Sequence, residues 1–207
     1  MVFRRSPCKA GDRCYNPSHP SARAALEAYA ACVAASKCTP AGTFGDCTAG
    51  KPGLEKHPIT CVDHAQATAY CASLGKRLPT DAEWELAARG SDGRTYPWGK
   101  TSSGGEACTG QSGAPADPDA GDDLGGAAGG GAGACEVKTH AKDSSPYGVR
   151  DMAGNAQEWT ATKDRQTDEY VARGGSFGAP MVPIDGTDRA YRASDDQGIN
   201  LGFRCVR

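Results

Sequence analysis

Cysteine is the residue type with the most chemistry in this chain. Ten of 207 residues are Cys, a high count for a reducing cytosol, where structural disulfides are rare. Disulfides and zinc are the competing uses. Zinc sites favour thiolate pairs spaced like CxxC, but the closest pairs here are Cys8/Cys14 and Cys32/Cys38, and Cys71 has no near neighbour. Disulfides in an oxidising compartment are therefore favoured. By spacing alone, nearest neighbours would pair Cys8 with Cys14, Cys32 with Cys38, Cys47 with Cys61 and Cys108 with Cys135, although spacing does not determine connectivity. The four histidines, His19, His57, His64 and His140, are scattered and form no HxxxH-type pair. Each reads as a packed or surface imidazole rather than a metal ligand. No Ser-His-Asp order is evident, and Asp195 with Asp196 reads first as a solvated loop.

These side chains need a frame, and composition limits what it can be. Aromatics are 7% of the chain, against 28 Gly and 13 Pro, so the core is small and much of the chain is loop that cross-links must support. Net charge is −2, which leaves no overall basic field for nucleic acid or an anionic membrane. No apolar run reaches the roughly 18–20 residues of a membrane span, and Met1 to Arg5 does not lead into a signal-peptide core. A helix is predicted over Ser21 to Ser36, with Leu26, Tyr29, Cys32 and Val33 at helical spacing. The Pro- and Gly-rich stretch from Lys37 to Pro58 reads as a loop held at Cys38 and Cys47. A second helix begins near Asp63 and stops at Gly75. Thr80 and Glu83 form a capping box for a third, which Gly90 ends. Residues from about 109 to 134, rich in Gly and Ala, read as a flexible loop tethered by Cys108 and Cys135. Ser144 to Arg207 has the short apolar pieces of strands with long connections.

Three blocks in order then carry a family resemblance: HPITCVDHAQATAYCASLGKRLPTDAEWELAARG with YPWG, SPYGVRDMAGNAQEWT, and RGGSF with NLGFRCVR. Together they closely resemble the formylglycine-generating enzyme, or sulfatase-modifying factor, family, and bacterial members in particular. The resemblance implies an α+β fold, the formylglycine-generating-enzyme-type variant of the C-type-lectin-like fold, low in regular secondary structure and disulfide-stabilised. It places the core at residues 57–207 and leaves 1–56 as a divergent N-terminal part, including helix 21–36, packed on the same domain. It implies a disulfide between Cys71 and Cys205 and a calcium loop in which Asp151 and Glu158 give carboxylates while Gly154 and Ala156 give carbonyls. Such an all-oxygen set suits a hard cation; the alternative is a capped turn. Gly154, Gly174, Gly175 and Gly202 suit positive φ or close backbone approach, and Trp84, Trp98 and Trp159 read as core. Arg77, Arg89, Arg173 and Arg204 read as structural partners for Asp81, Glu83, Glu85 and Glu158.

Catalysis is a different matter. Family enzymes oxidise a client cysteine with oxygen and copper held by two cysteines after the GGS motif, but Ala179 and a position around Ile184 stand there instead, and no cysteine lies between Phe177 and Arg204. The paired soft thiolates that Cu(I) prefers are absent, so copper is not expected. Ser176 matches the active-site serine, a weak catalytic candidate, while Gln157 stands where the family has a Trp. The expectation is a non-catalytic, calcium-binding recognition domain, periplasmic or secreted. Its unknown protein or peptide ligand would meet a crevice at Ser176, Phe177, Met181, Ile184, Tyr191 and Asp195. The alternative is an oxygen-dependent oxidase using another cysteine pair, such as Cys8 and Cys14. Sugar binding ranks last, since the paired carboxamide and carboxylate loop of calcium lectins is missing.

Overall fold

The structure is a computed structural model that describes residues 26–102, 105–109, 133–178 and 185–207. The expectations for Cys8, Cys14, the helix start at Ser21, most of the Gly/Ala loop, Met181 and Ile184 lie outside these residues. Three helices come first, α1 (Leu26–Ala34), α2 (His64–Ser73) and α3 (Asp81–Arg89), followed by four strands, β1 (Gln157–Lys163), β2 (Tyr170–Arg173), β3 (Arg189–Arg192) and β4 (Leu201–Phe203). The strands form one sheet in the order β3-β2-β1-β4. Its pairs are antiparallel except for β1 with β4, which run parallel. The sheet is small because the apolar pieces that supply it are short.

Alternation along β1 divides the core. Trp159 faces α1 and α2, where Tyr29, Tyr70, Ala172, Leu201 and Phe203 are buried with it. Tyr29 stacks on Tyr70 at 5.4 Å between ring centroids, and Phe203 meets both edge-on. Glu158, one residue earlier, points the other way and accepts from the indole of Trp84 on α3. There α3 buries Trp84 and Ala88 with Met152. Trp98 is only partly buried, packed on Ala107 and Ala153 and stacked on Tyr96.

Both later helices start as local chemistry dictates. Thr80 and Glu83 reciprocally cap α3 as predicted, and Asp63 and Gln66 do the same for α2. Gly90, at φ 65°, ends α3. Cross-links hold the loops to this frame: Cys32–Cys38, Cys47–Cys61, Cys71–Cys205 and Cys108–Cys135. The Cys71–Cys205 bond ties α2 to the residues after β4 and closes a span of 134 residues. At Gly202 a Cβ would lie 2.6 Å from the carbonyl oxygen of Ile59, so the approach of β4 to that segment requires glycine.

Candidate functional site

A cluster of buried charge surrounds the chain where it enters β1. Glu158 is fully buried and its carboxylate accepts from Trp84 Nε1 at 2.7 Å, from Arg204 Nη2 at 2.6 Å and from Arg204 Nε. Arg204 also donates to the carbonyl oxygens of Asp151 and Arg150. Burial works against the guanidinium charge, but Glu158, then Asp151 and Asp143, outweigh it and hold the Arg204 pKa above its ordinary value. Asp151 sits at φ 56°, with its Oδ2 accepting from the Lys138 amide at 2.8 Å. Asp143 Oδ2 accepts from the Ala153 amide at 3.4 Å. Gly154 donates to Gly174 O at 2.7 Å, and both Gly154 and Ala156 are buried.

The four residues of the expected calcium loop thus lie together, with Asp143 beside them. Among the described residues no group of three or more His, Cys, Asp or Glu side chains is set to hold a metal ion. The carboxylate of Glu158 already serves Arg204 and Trp84, so calcium would have to share it. Asp143, Asp151 and Glu158 are at most 4% exposed, and Arg204 beside them is 2% exposed. Arg150, at the rim, brings a second positive charge and donates to the carbonyls of Asp143, Lys138 and His140.

The second zone begins where β2 ends. Ser176 is 4% exposed, and its Oγ accepts from Asn200 Nδ2 at 3.2 Å. The next amide, Phe177 N–H, donates to Asn155 O at 3.0 Å. Gln157 donates its own amide to Asn200 O at 2.8 Å. Its side-chain oxygen accepts from Arg192 Nη2 and Nε at 2.8 and 3.3 Å, and Arg192 pairs with Asp196 at 3.2 Å. Ser176, Phe177, Asn155, Asn200 and Gln157 are therefore linked directly. Tyr191 is not part of this set: it stands 48% exposed on β3 opposite Val171. Asp195 is exposed beyond the end of that strand. Asn155 and Arg192 carried no local signal, since their partners are remote in sequence.

The anticipated ion pairs form. Arg77 meets Glu83, Arg89 meets Glu85, and Arg204 meets Glu158. Arg173 has no exposed side-chain surface, contacts Asp81 and Glu85 and lies over the Trp84 ring. It also donates to the carbonyls of Gly186, Thr187 and Asp188, fixing where the chain re-enters β3. His64 is a packed imidazole, stacked on Tyr170 at 3.5 Å with Nε2 3.0 Å from Thr160 O. Burial is the main cause that lowers its pKa.

Comparison with known proteins agrees with this architecture. Residues 22–207 match the sulfatase-modifying factor enzyme 1-like domain. The formylglycine-generating enzyme of Thermomonospora curvata is 41% identical over 175 residues, covering 72% of this chain and 55% of that protein. The inactive C-alpha-formylglycine-generating enzyme 2 of Bos taurus is 35% identical over 157 residues, covering 72% of this chain and 50% of its own length. The chain spans about half the length of the curated relatives it matches. Among solved structures, PvdO from Pseudomonas aeruginosa superposes with a TM-score of 0.65 at 26% identity, covering 88% of this chain and 76% of that one. Helix order, sheet, disulfides and family match converge on one conclusion: this chain belongs to the sulfatase-modifying factor enzyme 1-like domain family.

Proposed function

We propose that this domain is a non-catalytic member of its family, a calcium-binding, disulfide-stabilised scaffold that recognises a protein or peptide ligand outside the cytoplasm. The observation that carries the reading is the absence of any cysteine between Phe177 and Arg204. Copper(I) chemistry beside Ser176 calls for a pair of soft thiolates, and that segment offers none. Every cysteine among the described residues is already in a disulfide. Likeness to a Bos taurus protein whose own name calls it inactive gives further support. Four disulfides favour an oxidising setting, periplasmic or secreted, and among the described residues no helix is long and apolar enough to cross a membrane. The ligand surface is assigned to Ser176 and Phe177 with Met181, Ile184, Tyr191 and Asp195.

Calcium is assigned to Asp151, Gly154, Ala156 and Glu158. The support is that all four lie buried along the stretch that enters β1 and offer two carboxylates and two backbone carbonyls, an all-oxygen set suited to a divalent ion that would tie the loop to β1. Calcium supplies no redox chemistry, so its role is structural.

The rival reading, an oxygen-dependent oxidase of client cysteines, draws on the 41% identity to the Thermomonospora curvata enzyme and on Cys8 and Cys14, the two cysteines outside the four disulfides. Thiol labelling with intact-mass analysis, under native and then denaturing conditions, separates the two when combined with an oxygen-consumption assay on a copper-loaded sample and a Cys-containing peptide. The scaffold reading expects five disulfides, no labelled thiol and no oxygen uptake. Copper-dependent uptake that disappears with Cys8→Ser would overturn it.

A further inference from the structure

We propose that the Cys108–Cys135 disulfide is a staple that sets the position of the Ser176–Phe177 wall, with Asn155 as the positioning residue between them. Its functional meaning rests on reading that wall as part of the recognition crevice. The coupling itself stands on contacts around Asn155.

Asn155 is 1% exposed and bonds to both halves of the disulfide. Its amide donates to Cys108 O at 2.7 Å. Its Oδ1 accepts from Cys135 N at 3.0 Å, and its Nδ2 donates to Cys135 O at 3.2 Å. An amide donor and a carbonyl acceptor on one residue leave the carboxamide a single orientation. The Asn155 carbonyl then accepts from Phe177 N at 3.0 Å. One residue earlier, Gly154 donates to Gly174 O and forms a bridge with Cys108. A Cβ at Gly154 would lie 2.2 Å from Cys108 O, so the staple backbone presses directly on this turn. Residues 154 and 155 thus join the disulfide on one side to residues 174 and 177, which flank Ser176, on the other. Asn155 adopts φ 64°, a left-handed conformation that Asn tolerates better than most residues and that partners on both sides sustain here.

The remaining disulfides sit elsewhere. Cys32–Cys38 and Cys71–Cys205 belong to the core of α1, α2 and β4, and Cys47–Cys61 closes the loop between those helices. Without the staple, Asn155 loses the fixed pair of backbones that holds it, and Phe177 loses a fixed acceptor.

Amide hydrogen exchange on the whole chain tests this. Replacing Cys108 and Cys135 together by Ser is expected to speed exchange at Asn155 and Phe177 by about 10-fold or more, while amides of the β1–β2 ladder keep their protection. The control, Cys32→Ser with Cys38→Ser, leaves Phe177 unchanged. Asn155→Asp, with every disulfide intact, gives the same local loss at Phe177 and serves if the double cysteine variant does not fold. Unchanged protection at Phe177 in the variants that fold overturns the proposal, as does an equal rise at all amides. Copper-dependent oxygen uptake would instead refute the non-catalytic reading without altering exchange at Phe177, so the two failures are distinguishable.

Discussion

Glu158 and Arg204 lie inside the domain with almost no exposed surface, and a charge taken out of water persists only where its partners are complete. Glu158 has the guanidinium and the Trp84 indole; Arg204 has that carboxylate and two backbone carbonyls. Arg204→Met leaves a buried carboxylate without its cation and is expected to cost about 3–5 kcal/mol. With chelator present, so that the calcium assigned to Glu158 contributes to neither variant, adding Glu158→Leu should recover much of that loss, since the uncompensated charge is then gone, with Trp84 Nε1 left to account for the remainder. Denaturant unfolding of the two variants measures both; equal stability of Arg204→Met and wild type would show that the pair is not structural. The pairing of these two residues was among those readable from the motifs. The clamp of Arg192 on Gln157 was not, because it joins two strands that are not neighbours in the sheet.

At the scale of elements, α3 shows how much a short helix owes to its first turn. Glu83 caps Thr80 and receives both terminal nitrogens of Arg77 at 2.7 Å. The Arg77 guanidinium, with lesser help from Thr80 against the opposing effect of burial, lowers its pKa from 4.5 to about 2. A carboxyl whose folded pKa is depressed stabilises fully above its unfolded value, and that contribution is lost as pH falls from about 4.5 toward 2. Because the pair is 43–49% exposed, solvent screening limits its worth to about 1 kcal/mol. Glu83→Gln is therefore expected to lower stability slightly at neutral pH and to flatten the pH dependence over that window. Melting curves from pH 6 down to the acid limit of folding check this, and an unaltered slope would refute it. All three helices were legible because caps and periodicity are local. The sheet order was not, since β1 pairs in parallel with β4 across 37 intervening residues that include two other strands.

For the molecule as a whole, stability rests on few aromatic residues and on cross-links. The Cys71–Cys205 bond spans 134 residues, and in the chain-entropy account a loop of that size restricts the unfolded state by about 5 kcal/mol. Calcium would add to this by linkage, since an ion bound only by the folded chain raises the unfolding free energy with its concentration. A melting temperature that rises with millimolar calcium and falls with chelator is expected in the wild type, and a much smaller rise in Asp151→Asn. Indifference of the wild type to both would remove calcium from the proposal.

By itself the sequence determined the family, the three helices, the glycine positions and the absence of cysteine between Phe177 and Arg204, because motifs, caps and residue identity are properties of neighbouring residues. It also supplied the four disulfide pairings among the described residues, three from proximity and one from resemblance. Only the tertiary structure decided that Arg192 of β3 clamps Gln157 of β1 past the strand between them, and that Asn155 joins the Cys108–Cys135 staple to Phe177. Those outcomes follow from which distant backbones are brought within hydrogen-bonding distance, and a buried polar group takes whichever partner that packing supplies.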